Sequence, residues 1–361
     1  MKFNAMNCTI QLDGMDMETK MLVKNEMLDF EQAASRFLPN NALEVINNAP
    51  LNAPVSLQSQ VAELLERSLR LARKTGYYVH PFGGDSMKAS GYAQSFEKGE
   101  KSSEKEMVSF VTENQFKEPI DQLTKNCIIK KQPFSFDFGG FGKGFIVDRM
   151  KELFFVDEKE SWLINAGGDL LVTGTREAGI EHPIQMGRDM IRLQLTNCAL
   201  AMSGKNVRKW SMGCREYHHI LNGRTGRLAN NGVLQASVIA KNVMEAETAA
   251  KIFCILPYEE AKTLLYRNFL SALLILFISR IIESLSAGIP RYMKNWRWHN
   301  ELDLVLYTGY RLNRLFIADP ILTGRYYAPC STQQGILSFL SPDHRAGCLA
   351  VYWDPCLFAS I

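Results

Sequence analysis

The residue types best suited to chemistry lie together in Asp137-Phe-Gly-Gly-Phe-Gly-Lys-Gly-Phe-Ile-Val-Asp148. Phe134 to Phe138 alternates as a short strand would, four glycines follow (Gly139, Gly140, Gly142, Gly144), and Phe145, Ile146, Met150, Leu153 and Phe154 recur at helical spacing. A strand, a glycine turn and a helix start place backbone N–H groups and a positive helix end around one small space. Glycine also lets an anion approach the main chain closely. Lys143 adds a mobile positive charge inside the turn. Two readings stay open at this level: a binding loop for a phosphorylated ligand, and a plain glycine turn before a helix. The familiar nucleotide templates do not fit. Gly144 stands where a P-loop needs Ser or Thr after its lysine, and the glycines do not keep the Gly-x-Gly-x-x-Gly frame.

The elements that must position this loop read as follows. Residues 3 to 12 form a first strand, and residues 31 to 48 are polar and irregular. Ser56 caps a helix whose apolar face is Val61, Leu64, Leu65, Leu69 and Ala72, ended by Gly76. Residues 92 to 115 carry clustered charges and read as an exposed loop or edge. Trp162 to Gly174 gives two short strands pivoting on Gly167-Gly168. Residues 192 to 203 read as one further strand, and Asn222-Gly223 favours positive φ at a hairpin tip. Residues 233 to 240 are a strand, 243 to 256 and 257 to 267 are helices, and 272 to 278 is a buried strand. Strands and helices alternate unevenly, with several hairpins, so the fold class expected is α+β (mixed α/β). Residues 1–290 form one domain on this reading, and 291–361 a C-terminal extension with no functional reading.

Composition narrows the function classes. The chain has 361 residues, 46% hydrophobic and 22% charged, as an ordinary globular protein does. A net charge of +3 is too small to argue for nucleic acid or an anionic membrane surface. Eight cysteines without Cys-x-x-Cys or zinc-ligand spacing read as reduced thiols. The run from Phe269 to Ser279 is too short for a membrane span, which needs ~20 residues. No apolar leader is seen at the N-terminus, so a cytoplasmic location is expected.

One ordered series of motifs goes further. It comprises Met6-Asn-Cys-Thr9, Ser35-Arg-Phe37, Thr75-Gly76 with His80-Pro81, the 137–148 loop and Asn165-Ala-Gly-Gly-Asp169. Ser203-Gly204, His219-Ile220 with Arg224-Thr-Gly226, and Ala246-Glu247 complete it. From Met6 to about Ile289 the chain resembles the ApbE-type FAD:protein FMN transferases. The resemblance implies a two-lobed, T-fold-like domain with FAD between the lobes. It implies a magnesium-dependent transfer of FMN from FAD to a Thr or Ser hydroxyl of an acceptor protein, with release of AMP. By resemblance Met6, Phe37, Tyr78, Val79 and His80 line the dinucleotide. Asp137 and Lys143 hold ligand groups, Ile220 touches the cofactor, and Asp148, Gly167, Gly168, Ser203 and Thr225 complete the cofactor site. His219 takes the proton from the incoming hydroxyl, a task suited to an imidazole with pKa near ~6.5. Read without the family, His219 is a strand histidine with a structural hydrogen bond.

The resemblance places the metal at the Gly140 carbonyl, Glu247 and the position of Lys251. There the chain departs, since the family usually carries Asp and a hydroxyl residue where Glu247 and Lys251 stand. An ammonium has no lone pair for a cation. Either Glu247 binds magnesium with waters while Lys251 contacts a phosphate, or the two are an i,i+4 pair on a helix surface. His80 stands where the family has Asp, and Asn222-Gly223 replaces Asp-Pro. Members are often periplasmic or lipid-anchored. The alternatives to transfer are a magnesium-dependent FAD pyrophosphatase and a non-catalytic FAD-binding or flavin-delivery protein.

Overall fold

The structure is a computed structural model that describes residues 1–92, 111–112, 115–116, 118–155, 161–181, 189–212, 215–268, 273–280, 302–305, 335–339 and 349–353. Most of the charged 92–115 run and of residues 291–361 therefore lies outside the described residues. The chain opens with β1 (Lys2–Ala5), β2 (Cys8–Asp13), α1 (Met17–Ala34), α2 (Ala42–Asn47), β3 (Pro54–Ser56), α3 (Ser59–Lys74) and α4 (Gly84–Ala89). Next come β4 (Val111–Thr112), β5 (Gln115–Phe116), β6 (Ile120–Thr124), β7 (Cys127–Lys130) and α5 (Gly142–Phe154). The strand-rich middle is β8 (Trp162–Ala166), β9 (Asp169–Thr173), β10 (Thr175–Glu181), β11 (Asp189–Thr196), β12 (Ala199–Gly204), β13 (Lys209–Met212) and β14 (Arg215–His218). After it come β15 (Leu221–Asn222), β16 (Arg227–Leu228), β17 (Val233–Ala240), α6 (Val243–Ile255), α7 (Tyr258–Asn268) and β18 (Leu273–Arg280). The last described strands are β19 (Leu302–Val305), β20 (Gly335–Phe339) and β21 (Leu349–Trp353). The mixed α+β class expected from the sequence holds.

The main sheet has the order β1-β2-β8-β9-β12-β17-β18-β19, every neighbouring pair antiparallel. Its centre is buried on both faces: all five residues of β9 are buried, and so are seven of eight in β17. Helix α6 covers β12 and β17, α5 packs on α6 and on β8 and β9, and α1 packs on α5. Beyond residue 290, β19 pairs with β18 and β21 with β11. Among the described residues no helix is long and apolar enough to cross a membrane.

Several expectations are corrected. Residues 3–12 are a hairpin rather than one strand: Met6 and Asn7 turn the chain at φ 54° and 55°. The stretch read as irregular holds the end of α1 and all of α2, each helix capped by a polar side chain. Thr19 N–H donates to Asp16 Oδ1 (2.7 Å) and Glu44 N–H to Asn41 Oδ1 (2.8 Å). Ser56 belongs to β3 and does not cap α3, which starts after Gln58 with no side-chain cap. Phe134–Phe138 is extended but joins no sheet. Its backbone is held by Asn47, whose Oδ1 accepts from Phe136 N–H at 2.7 Å, and by a bond from Asp137 N–H to Pro81 O at 2.8 Å. The single strand read at 192–203 is broken at Asn197, where φ is 49°, into β11 and β12. Between β15 and β16 the positive φ falls on Gly226 (66°), not on Asn222-Gly223.

Glycine is required where α5 meets α6. A β-carbon on Gly144 would sit 2.8 Å from Met244 Cα and 2.9 Å from Glu247 Oε2. Gly144→Ala is therefore expected to force the helices apart and cost about 1–3 kcal/mol, a fall of several degrees in Tm by scanning calorimetry. An unchanged Tm would refute the close packing.

Candidate active site

One cavity lies where the widely separated segments meet. About 1340 Å3 of unfilled space, part of it open to solvent, is bounded by the β1–β2 turn, the end of α1, the 78–80 segment, the glycine loop, the β15–β16 hairpin and α6. Of the expected site residues, Met6, Phe37, Tyr78, Val79, His80, Asp137, Gly140, Lys143, His219, Ile220 and Lys251 line it. His219 and the glycine loop thus share one chamber.

The loop's charge comes from side chains more than from open amides, against the simplest sequence reading. Gly139 N–H donates to Asp137 Oδ1 (2.7 Å), Phe141 and Gly142 N–H to Phe138 O (2.9 and 2.7 Å), and Gly144 N–H to Glu247 Oε2 (3.1 Å). Asp137 is occupied in building the loop, since its Oδ2 also takes the Arg36 Nε–H at 2.9 Å. The Arg36 guanidinium lies 4.1 Å from the centre of the Phe37 ring and 4.9 Å from that of Tyr92. Tyr92 continues the aromatic wall, 5.3 Å from Trp210 in a stacked pair.

Behind the loop, Lys143 is bonded to Asp169 and lies 3.8 Å from Glu247 Oε1, while Lys251 Nζ donates to the same Oε1 at 2.9 Å. Burial opposes the Lys143 ammonium, but Asp169 and Glu247 outweigh it and hold its pKa above that of an ordinary lysine. The Glu247–Lys251 pair is not the surface pair of one sequence reading, because the side chains are 2% and 13% exposed. Among the described residues no three His, Cys, Asp or Glu side chains converge to hold a metal.

His219 Nδ1 lies 3.5 Å from Arg208 O, a weak contact, and Nε2 has no partner among the described residues. Burial, then the charges of Arg208 and Lys251, push its pKa well below 6.5, so the imidazole is neutral with a lone pair to offer. His80 is neutral too, for a structural reason. Its Nδ1 accepts from Phe82 N–H at 3.1 Å, so Nε2 carries the proton and donates to Gly223 O at 2.8 Å. Burial lowers its pKa to about 4. With Gly223 N–H donating to Tyr78 O at 2.9 Å, this clamp fixes the β15–β16 hairpin, and thereby Ile220, against the 78–80 segment.

Five residues expected at the cofactor do not line the cavity. Asp148 is buried under α6, accepting from Val243 N–H (2.7 Å) and Met244 N–H (2.9 Å), and burial pushes its carboxyl up to about 7. Gly167 and Gly168 make the tight β8–β9 turn at φ 63° and 96°, where only glycine is unstrained. Ser203 is buried in β12, and Thr225 is spent on the hairpin turn, its Oγ1 accepting from Arg227 N–H. Glu247 sits behind the lysines. Sequence reasoning missed Arg36, Tyr92 and Arg208 on the wall and Asp169 behind it. Arg36 and Asp169 lay within motifs already singled out. Arg208 lies in the β12–β13 connection, where no pattern marks it, and its guanidinium reaches back to Asn7 O at 3.1 Å.

The ApbE family model matches residues 5–274. The FAD:protein FMN transferase of Treponema pallidum (strain Nichols) is 24% identical over 256 residues, 65% of this chain and 70% of that protein. The Escherichia coli (strain K12) protein of the same name is 19% identical over 268 residues, 72% and 76% of the two chains. A crystal structure of the ApbE protein from Thermotoga maritima superposes with a TM-score of 0.65 at 20% identity, covering 77% of this chain and 93% of that one. The flavin transferase ApbE from Vibrio cholerae gives 0.61 at 18%, covering 78% and 93%. These two likenesses show the fold.

Proposed function

The chain belongs to the ApbE family, and from that premise we propose that it transfers FMN from FAD to a Thr or Ser hydroxyl of an acceptor protein and releases AMP. The observation that carries the reading is one cavity lined both by His219 and by the cationic glycine loop. FAD lies with its rings on the Phe37–Tyr92 and Tyr78 side and its pyrophosphate over Lys143 and Lys251. The acceptor oxygen attacks the phosphorus of the FMN half, its proton passes to His219 Nε2, and the bridging P–O bond to AMP breaks. Displacement of this kind needs positioning and charge neutralisation more than covalent help.

The resemblance also brings Mg2+, to be held by Glu247 and the Gly140 carbonyl. The residues present do not fit it. Glu247 Oε1 is bonded to the Lys251 ammonium and Oε2 to the Gly144 amide, so no step is assigned to a metal.

Incubation with FAD and a peptide carrying an Asp-Gly-x-Thr-Gly-type acceptor tests the reading. Covalent flavin fluorescence on the peptide is the expected result. Free FMN and AMP without labelled peptide would make the protein a pyrophosphatase, and unchanged bound FAD a carrier. The depressed His219 pKa adds a pH signature. A base must be unprotonated to act and His219 is so down to well below pH 6.5, so kcat/KM is expected to hold its plateau through pH 6. An acid limb centred near pH 6.5 would contradict this account of the base.

A further inference from the structure

Asp169 and Glu247, the two carboxylates beside Lys143, are screened from the cavity by two amines. Lys143 and Lys251 line the chamber, whereas Asp169 and Glu247 do not. The carboxylate side chains are 1% and 2% exposed, the lysine side chains 15% and 13%.

All four carboxylate oxygens already accept an N–H. Asp169 Oδ2 takes Lys143, and its Oδ1 takes Met202 N–H at 3.4 Å. Glu247 Oε1 takes Lys251 at 2.9 Å, and Oε2 takes Gly144 N–H at 3.1 Å. Mg2+ requires oxygen donors in near-octahedral array, and an ammonium group offers no lone pair. The Lys251 side chain packs on the loop itself, its Cε 3.5 Å from where a β-carbon on Gly140 would stand. Beside the glycine loop an anion entering the chamber therefore meets the Lys143 and Lys251 ammonium groups, while the carboxylates that also line the chamber are taken up, Asp137 by Arg36 and the Gly139 amide and Glu31 Oε1 by Met6 N–H.

Resting on the FAD reading above, we propose that Lys143 and Lys251 are the cation of this site. They neutralise the pyrophosphate that a divalent metal would otherwise neutralise, and the protein binds FAD and transfers FMN without one. The bookkeeping closes without a co-reactant. One P–O bond forms to the acceptor, one breaks to AMP, the proton goes to His219, and the charge growing on the departing phosphate is met by an ammonium. No electrons change hands.

The test is FAD binding by the full chain, followed through flavin fluorescence, in EDTA and in excess Mg2+, with peptide labelling run in parallel. Kd is expected to agree within about twofold between the two buffers, and labelling to proceed in EDTA. Lys251→Met is expected to weaken FAD about tenfold or more, as loss of a charged hydrogen bond should, while Lys251→Arg, which keeps the charge, stays near wild type. Binding tightened tenfold by Mg2+, labelling abolished by EDTA, or Lys251→Met binding as wild type would each overturn the assignment. The wild-type comparison needs no variant, so misfolding of Lys251→Met leaves the result decisive. FAD bound equally in both buffers with no labelling in either would sink the transfer reading alone and leave the cation assignment standing. No FAD binding in either buffer sinks both.

Discussion

Replacing His219 with alanine is expected to slow flavin transfer to the acceptor by about 10^2- to 10^4-fold, the range spanned by loss of a general base. FAD affinity should stay within a few-fold of wild type. The asymmetry follows from the geometry. Nδ1 makes only a 3.5 Å contact with Arg208 O, so little of the fold depends on the ring, and Nε2 has no other partner among the described residues. Single-turnover labelling of the peptide reads the rate, and fluorescence titration reads the affinity. A variant that labels as fast as wild type would remove His219 from the chemistry. Equal losses of affinity and rate would make it a binding residue instead.

The second large effect concerns Lys143. Lys143→Met should lower stability by about 3–5 kcal/mol, because Asp169 would remain buried without its counter-charge and Glu247 would lose a neighbour at 3.8 Å. The denaturant midpoint checks this, with the slope of the transition unchanged. A compensating change separates folding from function. In the double variant Lys143→Met, Asp169→Leu no buried charge is stranded, and most of the lost stability should return. FAD binding should not return, since the cavity still lacks the ammonium. A double variant that recovers both would make Lys143 purely structural.

The glycine loop, the helices α5 and α6, and strands β8, β9 and β17 were legible because their signals are local: clustered glycines, helical apolar spacing, alternation. Helix α1 was not. Its buried stripe, Val23, Met27, Phe30 and Ala34, has helical spacing, but Met17, Met21, Leu22 and Leu28 are exposed apolar residues that blur the pattern. Phe134–Phe138 looked like a strand because alternation reports two-faced burial. That burial comes here from Phe82 and from Asn47 rather than from a neighbouring strand. Site residues were found where a motif carried them. Arg208 was invisible because its place on the wall depends on a fold that brings it to Asn7 across two hundred residues of chain. Asp148 is the opposite case: it stands in the motif, but its carboxylate accepts from the start of α6.

The chamber draws its wall from Met6 near the start of the chain and from Lys251 and Ile255 far along it in α6. A growing polypeptide on the ribosome cannot hold the dinucleotide until α6 has emerged and docked. Because ligand then favours only the finished molecule, cellular flavin acts by mass action on the final step of maturation, adding RT ln(1 + [L]/Kd) to its stability. Cells starved of riboflavin should accordingly accumulate less of this protein, at equal message, than cells that are replete.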